Sequence, residues 1–294
     1  MKIGFIGLGI MGKPMCKNLM KAGYEVIVYD IFEKAVDEVV ESGAARGAGN
    51  SDVASKSDVV ITMLPNSPHV KTAVLGEGGI LEGAKPGLII VDMSSISPIA
   101  SKEICEKVEE KGGFFIDAPV SGGEPKAIDG TLAIMVGGRK EIFDKVSELL
   151  NIMGGSVTHC GEIGAGNTTK LVNQIIVAVN IAAVSEAMVF GKKAGVDPEA
   201  IYQAIRGGLA GSTVLDAKAP MMFEGNFNPG FRIDLHIKDL MNVLDTGHDV
   251  GASLPLSASV MEMMQWLKSK DLDKEDHSSL VKYFENLSGI DIRK

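Results

Sequence analysis

Cysteine is scarce: Cys16, Cys105 and Cys160 are the only three in 294 residues, an odd number at wide spacing. That excludes a disulfide framework and a paired-cysteine zinc site, and it suits a reducing cytoplasm, the compartment expected here. The five histidines, His69, His159, His236, His248 and His277, show neither HExxH nor any repeated spacing, so no metal site is expected. A G-x-S-x-G elbow for acyl transfer is missing, as are low-complexity segments and short-period repeats. Positive charge is in deficit. The net charge of -9 argues against nucleic acid or an anionic membrane surface as the main partner, though local sites can still attract small anions. The uncharged run Leu171–Ser185 has 15 residues and carries three amides, which reads as too short and too polar to span a bilayer. The first apolar run is broken by Gly4, Gly7, Gly9 and Gly12, unlike the core of a signal peptide.

What remains is an ordinary globular composition, 45% hydrophobic and 23% charged, in a chain long enough for two domains. The opening Lys2–Gly7 is a short β-type run, followed by Gly7-Leu8-Gly9-Ile10-Met11-Gly12, a helical pattern, and a second strand, Glu25–Asp30, ending in an acid 18 positions beyond Gly12. Strand, G-x-G-x-x-G, helix, strand and acid in this order predict a dinucleotide site. The glycines let the backbone turn tightly and approach a pyrophosphate, whose charge meets the exposed amides of a helix N-terminus. Asp30 can accept hydrogen bonds from both hydroxyls of an unphosphorylated ribose. Because Ile31 rather than an arginine follows, NAD is the expected cofactor, with NADP possible through a nearby lysine. The alternative is a glycine turn that only packs a helix on a sheet.

Apolar strands then alternate with helices: Asp58–Leu64, Leu88–Asp92, Phe114–Asp117 and Thr131–Gly137, with helices near Ser67–Leu75 and Pro98–Lys111. Continuous apolar strands separated by helices predict a parallel sheet covered on both faces. Ligands in such sheets lie beyond the carboxyl ends of the strands, which directs attention to Leu64-Pro65-Asn66, Ser94-Ser95 and Ser121-Gly122-Gly123. Ser121-Gly122-Gly123 reads either as a nest for a carboxylate or as a Gly-Gly turn before the next strand. Ser94 and Ser95 read either as cofactor ligands or as the cap region of the following helix.

After Thr158 the alternation stops and the composition turns helical. The expected architecture is therefore α/β: a doubly wound Rossmann-type domain over residues 1–162, then an all-helical domain over 163–294 that begins with a long interdomain helix, 163–194. From Leu171 to Ser185 that helix has only Asn173, Gln174, Asn180 and Ser185 as polar residues, so it is expected to be covered on most sides. Lys170 stands at its head, and Asn167, Lys170, Asn173 and Gln174 share one helical edge. A lysine in such surroundings can exchange a proton near neutral pH; an interfacial lysine that snorkels to water is the plainer reading. Farther on, Lys238 and Asp239 read as functional or as a structural ion pair, and Trp266 with Met261–Met264 as core.

At this point the chain resembles the β-hydroxyacid dehydrogenase family over essentially its whole length. FIGLGIMGKPMCKNL is similar to that family's nucleotide signature, DAPVSGG to its substrate signature and GAGNTTKLVNQ to its catalytic one. MLPNSPHVK, YQAIRGGLAGSTVLDAKAP and FRIDLHIKDL resemble most closely a bacterial branch that reduces small carboxylate-bearing semialdehydes. Relatives act on 3-hydroxyisobutyrate, 2-(hydroxymethyl)glutarate, or glyoxylate and succinic semialdehyde. The resemblance implies that Lys170 is the catalytic lysine and that Asn173 or Gln174 supplies an amide one turn on, many members having asparagine at the position of Gln174. It implies that Ser121, Gly122 and Gly123 hold the substrate carboxylate, and that Leu64, Pro65 and Ser95, with Asn66 beside them, contact the cofactor. Many relatives carry threonine at the position of Ser95. Lys238 and Phe231 are implied to reach the cofactor from the helical lobe. The expected partners are a small semialdehyde and further copies of the chain in a homodimer or homotetramer, with no nucleic acid and no membrane. Two rival classes remain: a nucleotide-binding module without turnover, and a decarboxylating dehydrogenase of the 6-phosphogluconate type, for which roughly 100 residues after the long helix leave little room.

Overall fold

The computed structural model of the chain describes residues 1–293. The first half holds nine strands: β1 (Lys2–Ile6), β2 (Glu25–Tyr29), β3 (Ala45–Arg46), β4 (Val59–Thr62), β5 (Ile89–Asp92), β6 (Phe114–Asp117), β7 (Val120–Ser121), β8 (Leu132–Gly137) and β9 (Gly154–Gly161). Between them lie α1 (Gly12–Lys21), α2 (Glu33–Val40), α3 (Asn50–Ser55), α4 (Ser67–Leu75), α5 (Ile80–Gly83), α6 (Pro98–Glu110), α7 (Gly123–Asp129) and α8 (Lys140–Met153). Then come α9 (Ala165–Lys193), α10 (Pro198–Ile205), α11 (Thr213–Glu224), α12 (Ile233–Asp249), α13 (Pro255–Lys268), a 3-10 turn (His277–Leu280) and α14 (Val281–Ser288). The chain divides into two compact units, Met1–Lys170 and Leu171–Lys294, and the dividing point lies inside α9.

In the first unit the strand order is β3-β2-β1-β4-β5-β6-β8-β7, with β9 beside β8. Strands β1 to β6 are parallel to their neighbours, but β8 runs antiparallel to β6 and β7. The sheet is thus parallel-dominated rather than wholly parallel, because the chain folds back after β7 instead of crossing over. The period of two explains why the strands look continuously apolar: Ile3, Phe5, Val59, Ile61, Val91 and Ile116 enter one core, while Ile6, Val60, Ile90 and Phe115 enter the other. Order reverses between β1 and β4, which opens the crevice where such sheets take nucleotides.

In the second unit, helices pack around Ile181, Met188, Met222, Leu240, Met264 and Leu267. Asp197 caps α10 by accepting from the Ala200 amide at 3.2 Å, and Pro198 opens that helix. Helix α9 spans Ala165–Lys193, close to the expected 163–194. It extends beyond Leu171–Ser185 at both ends, so by length and hydropathy alone it could cross a bilayer, although half of its most apolar window is buried in the protein. It is covered on most sides, as expected, with one exposed row: Val172, Ile176 and Phe190 are 51%, 60% and 73% exposed, while Asn167, Lys170, Gln174 and Ser185 are buried. The buried polar residues share the covered side with Leu171, Ala178, Ile181, Val184 and Met188, and an apolar row faces outward.

Candidate active site

The nucleotide loop follows β1 and closes on itself through its outer glycines. Gly7 takes φ +98°, and a Cβ there would stand 2.3 Å from the Met63 carbonyl oxygen. At Gly12 a Cβ would stand 1.9 Å from the Gly7 carbonyl oxygen, so α1 lies directly on the loop. A Cβ at Gly9, by contrast, would meet nothing within 4 Å. The first and third glycines are needed for the turn and the helix–strand packing, and the second leaves open backbone for a phosphate. Asp30, just past β2, ties the loop down: its Oδ2 accepts from the Leu8 amide at 2.6 Å and its Oδ1 from the Phe32 amide at 2.9 Å. A groove of about 730 Å³ opens here, lined by Leu8, Gly9, Ile10, Asp30, Phe32 and Lys34 among others. Met11 packs into the core instead of lining the groove. Lys13 also reaches the groove and pairs with Glu38 at 2.5 Å, an interaction that lowers the Glu38 pKa. These features fit a dinucleotide: open amides at the start of α1, an acid for the ribose, and lysines beside it.

The loops after β4 and β5 are bolted together from below. The buried Asp92 accepts from the Thr62 hydroxyl at 2.8 Å and from the Ser94 amide at 3.2 Å. Ser94 Oγ in turn accepts from the Leu64 amide at 2.8 Å, so Ser94 is a structural brace and not a cofactor ligand. Burial pushes the Asp92 carboxyl up to about 7 against the pull of its Ser94 and Thr62 hydrogen bonds. Asn66 Oδ1 accepts from the Ser67 amide at 2.8 Å and caps α4, a helix-capping use of a residue expected to touch cofactor. The cap of α6 is Ser97, which accepts from Ile99, and neither Ser94 nor Ser95 fills that place. Leu64 and Ser95 are half-buried, and Pro65 is exposed at the strand end.

Ser121 closes β7, and Gly122 and Gly123 follow at φ +136° and +71°, values that only glycine adopts without strain. A Cβ at Gly122 would also lie 2.6 Å from Lys126 Cδ. The turn does not lead straight into the next strand; α7 intervenes and ends at the left-handed Gly130. Lys170 is only 7% exposed, which rules out the reading of a lysine that snorkels to bulk water. Asn167 is committed elsewhere: its Oδ1 accepts from the Ile96 amide at 3.0 Å and its Nδ2 donates to Ser101 Oγ at 3.1 Å.

In the second unit, Gln174 and Asn173 belong to one chain of hydrogen bonds. Asn173 Nδ2 donates to Gln174 Oε1 at 2.8 Å, and Gln174 Nε2 donates to Asp239 Oδ2 at 2.6 Å. Lys238 pairs with Asp239 at 2.9 Å, the ion pair weighed from sequence. Phe231 packs edge-on against His236 and His277, with ring centroids 5.6 and 5.4 Å away. The two imidazoles meet through their Nδ1 atoms at 3.0 Å, so one of them must donate and the other accept. Beneath this aromatic group the buried Asp276 accepts from the amides of Gly230, Phe231 and Ser278 and pairs with Lys218 at 2.9 Å. Burial opposes its charge, but His277 and Lys218 outweigh that and hold its pKa at about 2. Sequence reasoning missed the parts played by Asp92 and Asp276. For Asp92 a signal existed, an acid ending an otherwise apolar strand.

The chain is similar over most of its length to known dehydrogenases. A model of the NAD binding domain of 6-phosphogluconate dehydrogenase matches residues 2–161, and one described as NAD-binding of NADP-dependent 3-hydroxyisobutyrate dehydrogenase matches residues 164–284. The 2-hydroxy-3-oxopropionate reductase of Escherichia coli (strain K12) is 44% identical over 285 residues, 97% of each chain. The 2-(hydroxymethyl)glutarate dehydrogenase of Eubacterium barkeri is 39% identical over 292 residues, 99% of this chain and 97% of the relative. Among solved structures, the Mycobacterium tuberculosis 3-hydroxyisobutyrate dehydrogenase with L-serine has a TM-score of 0.88 at 32% identity, covering 96% of this chain and 98% of the other.

Proposed function

The chain belongs to the β-hydroxyacid dehydrogenase family, and from that premise we propose that this NAD(P)-dependent dehydrogenase reduces 2-hydroxy-3-oxopropionate, tartronate semialdehyde, to glycerate. The observation that carries the chemistry is Lys170, a buried lysine in the first turns of α9. The reduced nicotinamide, when bound, supplies the hydride to the carbonyl carbon. The substrate carboxylate rests on the Ser121-Gly122-Gly123 turn. As negative charge grows on the carbonyl oxygen, the Lys170 ammonium stabilises it and then donates its proton; in the oxidative direction the same amine acts as base. An amide of Asn173 or Gln174, one turn on, steadies the substrate. Lys238 and Phe231 contribute to the cofactor side, and Asp30 accepts from the ribose.

Removing one positioned donor costs on the order of 3 kcal/mol of transition-state stabilisation, so Lys170→Ala should lower turnover at least about a hundredfold with cofactor affinity unchanged. Equal loss of NADH binding would move Lys170 from chemistry to nucleotide docking. Identity to the Eubacterium barkeri enzyme supports a second reading, a dehydrogenase of a larger hydroxy acid. Steady-state rates with tartronate, methylmalonate and succinate semialdehydes and with 2-formylglutarate, the aldehyde of the second reading, each with NADH and NADPH, separate the two. Failure to oxidise NADH with any of them would leave a nucleotide-binding module. The outward apolar row of Val172, Ile176 and Phe190 supports assembly into a homodimer or homotetramer, which light scattering coupled to size exclusion measures directly.

A further inference from the structure

Lys170 is useful as an acid only if the helix that carries it has one rotational setting. Each residue of slip along an α-helix turns a side chain by about 100° and moves it about 1.5 Å. The loop before α9 holds one of its first amides, Ala165 to the Glu162 carbonyl at 2.9 Å, and the other ties come from farther away in the chain. Of the first amides, which have no partner inside a helix, those of Gly164 and Asn167 donate to Asp117, at 2.8 Å to Oδ1 and 2.6 Å to Oδ2. Asp117 is the last residue of β6 and is fully buried. The capping carboxylate therefore comes from the sheet, 47 and 50 positions earlier in the chain. Burial raises its pKa, and the two amides oppose that rise by favouring the ionised form.

The fit allows no play. A Cβ at Gly166 would lie 2.4 Å from the Met135 carbonyl oxygen and 2.6 Å from that of Asp117. A Cβ at Gly137 would lie 2.4 Å from Asp117 Oδ1 and 2.6 Å from the Gly166 amide. The first turn of α9 thus rests backbone against backbone on the ends of β6 and β8, and no side chain can be interposed. A second tie stops rotation about that point: the Asn167 side chain holds the Ile96 amide and Ser101 Oγ. Ile96 follows Ser95, and Asp117 runs through Ala118-Pro119-Val120 into Ser121. The loops assigned above to cofactor and to substrate carboxylate are therefore both anchored to the turn that precedes Lys170.

We propose that Asp117, acting with Asn167, is the positioning residue that sets the rotational phase of α9 and so aims Lys170, with no contact of its own to substrate. The inference rests on the reading of Lys170 as the proton donor. Asp117→Asn keeps the shape but turns one acceptor into a donor facing a buried amide. It should lower kcat about thirty- to a hundredfold, since misplacement of about 1 Å costs that much, and this loss should exceed several-fold any rise in KM or in the dinucleotide Kd that the neighbouring loops transmit. Asn167→Ala, which leaves both backbone amides on Asp117, should lower kcat about tenfold with the same split, and it carries the test should Asp117→Asn fail to fold. Residues that act through one another are non-additive, so Asp117→Asn combined with Lys170→Ala should be no slower than Lys170→Ala alone. A folded Asp117→Asn or Asn167→Ala that keeps wild-type kcat overturns the proposal, as does a double variant whose losses multiply. If Lys170→Ala alone retains turnover, the fault lies with the reading of Lys170 and not with the anchor.

Discussion

Substituting alanine for Gly9 and, separately, for Gly12 should separate binding from folding within one loop. At Gly9 the added methyl meets no heavy atom within 4 Å, so the fold has no reason to resist it. Reduced freedom of the unfolded chain should leave stability unchanged or raised by about 0.4–1 kcal/mol. The same open space is where a pyrophosphate approaches the backbone, and a methyl there holds the phosphate off the amides. Losing a charge-assisted hydrogen bond costs about 1.5–3 kcal/mol, which is a dissociation constant for NADH about 10- to 150-fold higher. At Gly12 the methyl would sit 1.9 Å from a backbone oxygen that cannot swing away. Relief requires moving α1 off the loop, at a cost of about 3 kcal/mol or more. Thermal melts and NADH fluorescence titrations on both variants read the two effects. The reasoning is refuted if Gly9→Ala binds NADH like wild type, or if its melting temperature falls as far as that of Gly12→Ala.

Asp276→Ala removes the partner of Lys218 and of three backbone amides, and stranding a buried charge costs about 3–5 kcal/mol. A fall in melting temperature on the order of 10 °C should follow at pH 7. Because the folded pKa of about 2 lies below the ordinary 3.8, this stabilisation is present above pH 4 and disappears as pH falls through 2. Asp92 has the opposite sign. Its folded value of about 7 against 3.8 means that the folded protein holds a proton the unfolded chain has released, so stability should decline as pH rises from 4 to 7, by about 4 kcal/mol. Asp92→Asn should flatten that decline in denaturant melts run between pH 4 and 8, and an unchanged slope would show that Asp92 is not its source.

The local features of the chain were legible because their causes are local. A period of two in Ile3, Phe5 and their neighbours marks strands, glycine alone tolerates the φ of +98° at Gly7, and Asp30 follows its strand at the expected spacing. Helix α7 was hidden because its seven residues begin with glycine and contain a proline, which reads as a turn. Helix α9 was placed by its apolar run, but the run could not tell which side faces outward. Asn167 illustrates the limit: helical spacing set it on the edge of Lys170, and the folded chain spends its side chain on Ile96 and Ser101.

Sequence therefore determined the main alternation of strands and helices and the nucleotide loop, since each depends on residues a few positions apart, while Lys170 was singled out as the acid by the family resemblance of GAGNTTKLVNQ. Tertiary structure alone decided which acid caps α9, which serines are braces and which polar groups are already spoken for. Those pairings join donors and acceptors 30 to 71 positions apart, and a hydrogen bond over such a span exists only once parallel strands have aligned their carboxyl ends.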